Sequence, residues 1–176
     1  MKRNYPSAFT ILELLIVVAI IALLIGLVLP ALRHVRSEAR SAVCLSNLKQ
    51  IAMGFNLYAG DHDEYLPPPE IEGAWVSLLA PYAPALEVFG CPSDDDVAAL
   101  GTSISYAWRN SLEVVDPQAS LAGWNLGAMN AAQQILVFDA IPGWHGLANI
   151  QAASLDTSSN RYSFDQFQAK LEQHVR

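Results

Sequence analysis

The chain has 176 residues, of which 52% are hydrophobic, and a formal net charge of −7. This length leaves room for one small domain beside the apolar N-terminal segment. From Gln50 onward, 15 carboxylates outnumber four basic side chains, which argues against a polyanion-binding surface and hence against nucleic acid as a partner.

Residues 8–30 form a hydrophobic segment long enough to span a bilayer, since about 20 apolar residues cross the hydrocarbon core. Its basic start, Lys2 and Arg3, is shared with secretory signal peptides, but the apolar run is too long and lacks a small-residue cleavage pattern at its end. A plain transmembrane anchor fits the length and leaves Glu13 unexplained. An acidic residue at the membrane centre costs roughly 2.5–3.5 kcal/mol, so Glu13 needs a specific partner.

A short basic leader, residues 1–8, is followed by Phe-Thr-Ile-Leu-Glu at 9–13. This stretch resembles the N-terminus of type IV prepilins and of the pseudopilins of type II secretion systems, with Ala8 in place of the usual glycine. The resemblance implies that a prepilin peptidase cuts between Ala8 and Phe9 and methylates the new amino group of Phe9. Pro30 falls where many pilins carry a helix-bending proline.

By the same resemblance, Glu13 pairs with the Phe9 amine of a neighbouring subunit when helices pack into a filament. Mutual neutralisation of the two charges would offset their burial and fix the axial register. The positive-inside tendency hardly distinguishes the two membrane orientations, because basic residues lie on both sides of the apolar segment. Lys2 and Arg3 precede it, and three arginines within 33–40 follow it. The resemblance, rather than the charge count, places a single-pass chain in the bacterial cytoplasmic (inner) membrane with its head on the periplasmic side.

After Pro30 the pattern becomes amphipathic, with apolar residues at three- and four-residue steps. The predicted apolar stripe consists of Val35, Ala39, Ala42, Leu45, Leu48, Ala52, Phe55 and Tyr58. Gly60 suits a C-terminal stop, so a helix over residues 9–59 is expected, bent or loosened at Pro30. The expected divisions are a leader (1–8), a transmembrane and polymerisation helix (9–32), an amphipathic stem helix (33–60) and a globular head (61–176).

The head is predicted to contain a small antiparallel sheet lying on the stem helix, which makes the fold class α+β and pilin-like. In chain order, the expected elements are an acidic, proline-rich connector (61–73), a short helix (75–82), a loop (91–96), strands (104–108 and 135–139) and a hairpin (148–155 and 161–164). Ser163 and Gln166 form a capping-box pattern for a terminal helix that turns Phe167 and Leu171 inward.

Two cysteines, Cys44 and Cys91, allow one disulfide in an oxidising compartment. A bond needs close approach of their Cα atoms, so the sequence leaves open whether they are bonded or are two separately buried thiols. Their spacing fits no zinc site, and a pair of cysteines cannot complete one without histidines.

A narrower resemblance covers much of the head. Residues 44–67, the Cys-Pro-Ser-Asp loop at 91–94 and a pattern close to Ser-Tyr-x-x-Asn at 105–110 resemble a pseudopilin-like group abundant in planctomycetes and related bacteria. Members of that group commonly end in a histidine, nine intervening residues and Asp-Gly. Here His145 is present, but Asp156 comes one residue late and threonine replaces the glycine.

Three acidic clusters are candidates for binding a cation, and at each the pattern favours a solvated turn over a metal site. The candidates are Asp61 and Asp63 in the Asp-His-Asp-Glu run, Asp156 in the hairpin turn, and residues 94–96. An EF-hand loop would need alternating ligands and a later bidentate glutamate. His145 is interpreted as a turn histidine bonded to a carboxylate such as Asp139 rather than as half of a hydrolase dyad, because no nucleophile-elbow motif occurs. No metal, cofactor or enzymatic activity is expected.

The expected function is that of a structural subunit of a pilus or pseudopilus. The resemblance implies three partners: a prepilin peptidase, other pilin or pseudopilin subunits in a homo- or hetero-oligomer, and the lipid bilayer. A minor or tip pilin in adhesion or DNA uptake is the alternative within this class. From a different class, the chain could be a single-pass membrane-anchored binding or enzymatic domain that does not polymerise.

Overall fold

The computed structural model describes residues 10–68, 74–94, 104–109, 121–128, 130, 134–141, 145 and 149–172. The chain divides into two compact units, Met1–Glu38 and Ala39–Arg176. Helix α1 (Ile11–Asp61) begins in the first unit and ends in the second. The predicted leader (1–8), Phe9, and parts of the connector and of the loop at 91–96 lie outside the described residues.

The first unit is described from Thr10 onward, and its helical residues are exposed throughout. Leucine, isoleucine and valine dominate it up to Pro30, and this stretch is long and apolar enough to cross a membrane. The helix continues through Pro30, although proline has no N–H to donate to the carbonyl of Gly26. The segment therefore has a helix whose apolar surface has no covering within its own unit.

In the second unit, the remaining part of α1 buries one face. Its buried apolar side chains are Cys44, Leu48, Ile51, Ala52, Phe55, Tyr58 and Ala59. The predicted stripe is thus confirmed from Leu48 onward, whereas Val35, Ala39 and Ala42 are exposed and were wrongly assigned to it.

The buried face of α1 starts instead at Ser41, a polar residue that the hydrophobic pattern could not select. Ser41 is buried because its hydroxyl accepts hydrogen bonds from the side chains of Gln151 and Arg161. Asn47 is also buried on this face, and its side-chain amide donates to the carbonyl of Gly90 at 3.0 Å. Hydrogen bonding replaces the solvation that these polar groups lose.

Helix α1 ends at Asp61, one residue beyond the predicted stop at Gly60. The chain reverses through Asp63 and Glu64, which have φ values of 52° and 64°. The Glu64 N–H donates to the carbonyl of Ala59 at 2.8 Å and so satisfies one of the last helical acceptors. An acidic residue rather than the glycine takes the left-handed conformation, which aspartate tolerates better than most residues.

Within the described part of the chain, four antiparallel strands form one sheet in the order in which they follow along the chain. They are β1 (Tyr106–Trp108), β2 (Ile135–Asp139), β3 (Asn149–Ser154) and β4 (Ser159–Ser163). Val137 pairs with Ala153, and Ile150 pairs with Tyr162. The predicted strand at 135–139 and the final hairpin are confirmed, and the strand predicted at 104–108 is confirmed over its last three residues.

The outer edge of β1 is bordered by other parts of the head. Just before the strand, the Ser105 N–H donates to the carbonyl of Phe89 at 2.8 Å. Just after it, the carbonyl of Arg109 accepts from the Leu121 N–H at 2.8 Å. Both residues also extend the pairing with β2, since the Arg109 N–H donates to the carbonyl of Leu136 at 2.8 Å and the carbonyl of Ser105 accepts from the Ala140 N–H at 3.1 Å. The bonds to Phe89 and Leu121 are therefore made at the two ends of β1.

The short helices were also predicted correctly. Helix α2 (Ala74–Leu79) continues into a 3₁₀ turn (Ala80–Tyr82), and α3 (Phe164–Leu171) ends the described chain. The capping box at the start of α3 is confirmed, because the Gln166 N–H donates to Ser163 Oγ and the Ser163 N–H donates to Gln166 Oε1. Phe167 is buried, as the pattern indicates.

Among the residues described in the second unit, two clusters of apolar side chains hold the elements together. In the larger, Phe55 of α1 lies between Trp75 and Trp108, with ring centroids 5.9 and 5.1 Å away. In the smaller, Phe167 of α3 packs against Phe138, and strand residues Ile135, Ile150 and Ala152 complete the cluster. The fold is α+β, with the long N-terminal helix packed on an antiparallel sheet.

Candidate functional site

The first turn of α1 is closed by a reciprocal pair of contacts between Thr10 and Glu13. The N–H and the hydroxyl of Thr10 both donate to Glu13 Oε2, at 2.9 and 2.8 Å, and the Glu13 N–H donates to Thr10 Oγ1 at 3.2 Å. This is a capping box, in which two otherwise unsatisfied N–H groups are each given an acceptor. The Thr-x-x-Glu spacing could have indicated it, but the sequence interpretation considered Glu13 only as a charge in the membrane and as a partner for the Phe9 amine of a neighbouring subunit.

After Glu13, the helix presents large apolar side chains on every side. Leu23 and Leu27 are 65% and 68% exposed, and the intervening residues are also exposed. Burying apolar surface contributes roughly 25 cal/mol per Å², so this helix is strongly driven to leave water. Lipid chains or the helices of other subunits are the coverings that suit an all-round apolar helix.

A second notable site lies inside the head, where a disulfide joins Cys44 on α1 to Cys91. The two Cα atoms are 5.2 Å apart although the residues are separated by 47 positions. Both cysteines are buried, and the Cys91 N–H donates to Ser105 Oγ at 2.9 Å. Of the two arrangements that the sequence left open, the structure has the bonded one.

The side chain of His145 lies against this disulfide. Its Nε2 atom is 3.6 Å from Cys91 Sγ and 3.7 Å from Asp139 Oδ2, and the histidine and aspartate side chains are only 1% and 2% exposed. The sequence predicted a hydrogen bond from His145 to a carboxylate; the observed separation from Asp139 is that of an ion pair. The sulfur beside His145 is held in the disulfide, so this arrangement offers no thiolate nucleophile while the bond is intact.

Asp139 is the ionisable centre of this buried region. Burial raises its pKa to about 7, and a hydrogen bond from the Gln151 N–H to Oδ2, at 2.7 Å, partly opposes the shift. Burial and the nearby Asp139 also raise the pKa of Tyr106, whose hydroxyl lies 3.5 Å from the carbonyl oxygen of Cys44. Low solvation is therefore the dominant electrostatic feature around the disulfide.

Comparison with known proteins bears on the N-terminal helix. Residues 3–29 match the family described as the prokaryotic N-terminal methylation motif. The N-terminal segment is prepilin-like. The chain is 32% identical over 65 residues to the type II secretion system core protein G of Pseudomonas aeruginosa, over 37% of this chain and 46% of that protein. The chain thus spans about half the length of this curated relative, and no solved structure matches it.

The processing residues Ala8 and Phe9 lie inside the matched motif but outside the residues that the structure describes. Glu13 and Pro30 are both on α1, and only Glu13 has a described side-chain contact of its own. The roles given to these four residues stay predictions. The motif supports a pilin-like subunit rather than an enzyme.

The acidic candidates for a cation are engaged in turns and helix ends. Asp61 Oδ2 accepts a hydrogen bond from the Tyr82 hydroxyl at 3.1 Å. Asp156 Oδ1 accepts from both the N–H and the hydroxyl of Ser158, which fixes the β3–β4 turn. Asp63 is one of the two left-handed residues after α1. The preference for solvated turns over a metal site at these residues remains a prediction.

A buried arginine, missed by the sequence interpretation, ties the terminal helix to the sheet. Arg109 is completely buried directly after β1, and it donates to Gln134 Oε1 at 2.8 Å and to the carbonyl of Leu171 at 2.6 Å. Burial lowers its pKa to about 10, which still leaves it charged at neutral pH. A cation at the last carbonyls of a helix is favoured by the helix dipole.

We expect Arg109→Met to lower the free energy of unfolding by about 2–4 kcal/mol. Methionine restores much of the buried volume but leaves the Gln134 and Leu171 oxygens without this donor, each at a cost of about 1–3 kcal/mol. Chemical denaturation of the full chain in detergent measures the change. Lys49→Met is the matched control, because Lys49 is exposed and a surface substitution changes stability by about 0.5 kcal/mol or less. Equal stability of the two variants would contradict the role given to Arg109.

Proposed function

We propose that the chain is a structural subunit of a pilus or pseudopilus. A prepilin peptidase removes residues 1–8 and methylates the new amine of Phe9. The processed subunit then assembles through α1 with its own copies or with related pilins. The observation that carries the proposal is the methylation motif at 3–29, whose residues from Ile11 onward lie on a fully exposed apolar helix. The apolar surface of such a helix must be covered by lipid or by neighbouring helices. In a filament subunit, lipid covers it before assembly and neighbouring helices cover it afterwards.

In the proposed cycle, the unassembled subunit is a single-pass protein of the cytoplasmic (inner) membrane. Residues 11–29 cross the lipid, and the head lies on the periplasmic side. The similarity to a protein named for a type II secretion system supports a pseudopilus in particular. The excess of carboxylates after Gln50 favours a role in assembly over DNA uptake.

The capping box suggests how Glu13 serves two purposes. Both donors of Thr10 bind Oε2, so within the described part of the chain no hydrogen bond occupies Oε1. The carboxylate can therefore keep the first turn closed and still accept the Phe9 amine of a neighbouring subunit. Pairing of the two charges in a low-dielectric filament core sets the axial register.

Mass spectrometry of the mature N-terminus tests the proposal. We expect the chain purified from its own membranes to begin at Phe9 and to carry one methyl group on that amine. Ala8→Leu replaces the small residue before the cleaved bond and should leave the chain intact, while Ala8→Gly should be processed fully. A wild-type protein that retains Met1 would defeat the proposal.

Shearing of cells addresses the remaining alternative of an anchored domain that does not polymerise. A filament subunit is released by shear as an assembly that sediments without lipid. An anchored domain with an unprocessed N-terminus stays in the membrane fraction. Recovery of the processed chain from membranes alone, under conditions in which secretion is active, would favour the second function.

A further inference from the structure

The buried disulfide belongs to a group of side chains that have the chemistry of a metal site. The sulfurs of Cys44 and Cys91 and a ring nitrogen of His145 all lie within 4.8 Å of one another. The carboxylate of Asp139 is 3.7 Å from the same histidine nitrogen. Two thiolates, an imidazole and a carboxylate are a ligand set that suits Zn²⁺.

The distances also match a tetrahedral site. Zinc held about 2.3 Å from sulfur and about 2.0–2.1 Å from nitrogen or oxygen keeps sulfur and nitrogen about 3.6 Å apart, and nitrogen and oxygen about 3.4 Å apart. The corresponding separations here are 3.6 Å from Cys91 Sγ to His145 Nε2 and 3.7 Å from that nitrogen to Asp139 Oδ2. The two bonded sulfurs must separate to about 3.8 Å for this geometry.

Hydrogen bonds from neighbouring residues fix the positions of Cys91 and Asp139, as hydrogen bonds around a metal site fix its ligands. The Cys91 N–H is bound by Ser105 Oγ, and the Asn47 side chain holds the carbonyl of the adjacent Gly90. Asp139 is 3% exposed; its Oδ2 atom accepts the Gln151 N–H, while Oδ1 is buried with no hydrogen-bond partner among the residues that the structure describes. A buried carboxylate oxygen of this kind is unusual unless it has a ligand or an ion to bind.

We propose that the reduced head binds one Zn²⁺ ion through Cys44, Cys91 and His145, with the Asp139 carboxylate as the fourth ligand. Oxidation to the disulfide expels the ion. The disulfide and the metal are then alternative links between α1 and the loop at Cys91, one for each redox state. This property belongs to the head and is independent of whether the chain polymerises.

The exchange balances in electrons and protons. A dithiol reductant delivers two electrons and two protons to the Cys44–Cys91 bond, which leaves two thiols in the head and a disulfide in the reductant. Zn²⁺ then displaces the two thiol protons into solvent as two zinc–sulfur bonds form. In reverse, a disulfide oxidant takes two electrons from the two thiolates, the sulfur–sulfur bond re-forms, and Zn²⁺ leaves.

Cobalt titration of the full chain in detergent tests the proposal, because tetrahedral Co²⁺ reports its ligands by absorption. The chain is folded anaerobically with a phosphine reductant and titrated with Co²⁺ alone. We expect a thiolate-to-cobalt charge-transfer band that saturates at one ion per chain, and its disappearance when Zn²⁺ is added. The disulfide form should give no such band.

Variants of the other two proposed ligands distinguish Co²⁺ binding by the four-ligand site from binding by the two thiols alone. We expect His145→Gln and Asp139→Asn each to weaken Co²⁺ binding about tenfold or more. Loss of a residue that only hydrogen-bonds to a metal ligand already costs about 10–100-fold in affinity, so loss of a ligand should cost at least as much. His62→Gln is the matched control, because His62 is exposed and stacks on Tyr58 away from this cluster, and it should bind as the wild type does. Unchanged binding in His145→Gln would overturn the proposal.

Folding provides a second readout if the reduced chain loses structure without metal. In that case Co²⁺ or Zn²⁺ should restore its circular dichroism and the protection of both thiols from alkylation. A reduced chain that neither shows the charge-transfer band nor regains structure with metal overturns the proposal. Filament formation and N-terminal processing are unaffected by these outcomes, so failure here is distinguishable from failure of the proposed function.

Discussion

Glu13→Gln is expected to abolish filament assembly while membrane insertion and processing continue. Glutamine serves at the third position of a capping box as glutamate does, so the Thr10 contacts at the start of α1 persist. What the substitution removes is the negative charge, which leaves the neighbour's Phe9 amine buried without a partner. Breaking such a pair costs about 3–5 kcal/mol, or a factor of about 100 or more for each added subunit. Sheared-filament yield measures the loss.

Thr10→Val provides the complementary control. Valine keeps the shape at Thr10 but removes the hydroxyl that both donates to Glu13 and accepts from it, while the charge of Glu13 remains. Loss of a helix cap costs about 1 kcal/mol, so we expect a reduced but measurable yield. If Thr10→Val stopped assembly and Glu13→Gln did not, capping rather than charge pairing would be the essential role of Glu13.

Removing the disulfide by Cys44→Ala together with Cys91→Ala is expected to lower the free energy of unfolding by about 4 kcal/mol. The bond closes a long loop, with the two cysteines 47 positions apart, and so it removes much of the freedom of the unfolded chain. Alanine at both positions avoids the new polar groups that serine would bury. Thermal unfolding of the full chain in detergent should show a midpoint lower by about 10 °C.

Reduction of the wild type in the presence of a chelator is the matched condition, since it breaks the same link and keeps both side chains. We expect it to lower the stability by a similar amount. Under the same reductant, the alanine variant should not change further. A double variant as stable as the oxidised wild type would show that the bond contributes nothing beyond the packing around Cys44 and Cys91.

The parts of the fold that could be predicted are those whose signal is local. Residues 135–138 are an apolar run followed by Asp139, and β2 covers 135–139 as predicted. Ser163 and Gln166 lie three residues apart, which is the spacing of the capping box that begins α3. Thr10 and Glu13 have the same spacing, so the contact between them was also within reach of sequence reasoning.

The parts that could not be predicted depend on contacts between distant residues. Ser41 was not selected as buried because its partners, Gln151 and Arg161, are more than a hundred positions away. The strand predicted from Ile104 starts only at Tyr106, and the Ser105 N–H just before it donates to Phe89, a residue outside the sheet. In the candidate site, the approach of His145 to the disulfide depends on the whole head, and neither spacing nor composition indicates it.

The two edge strands of the sheet, β1 and β4, affect whether copies of the chain can aggregate by pairing strands edge to edge. Strand β1 has only three residues, its flanking residues Ser105 and Arg109 bond to Phe89 and Leu121, and β4 at the other edge reads Ser-Asn-Arg-Tyr-Ser, with no aliphatic residue. Short or polar edges are poor templates for amyloid-like addition of strands. In the proposed filament, where the helices would hold many heads close together, we therefore do not expect the sheets of neighbouring heads to pair.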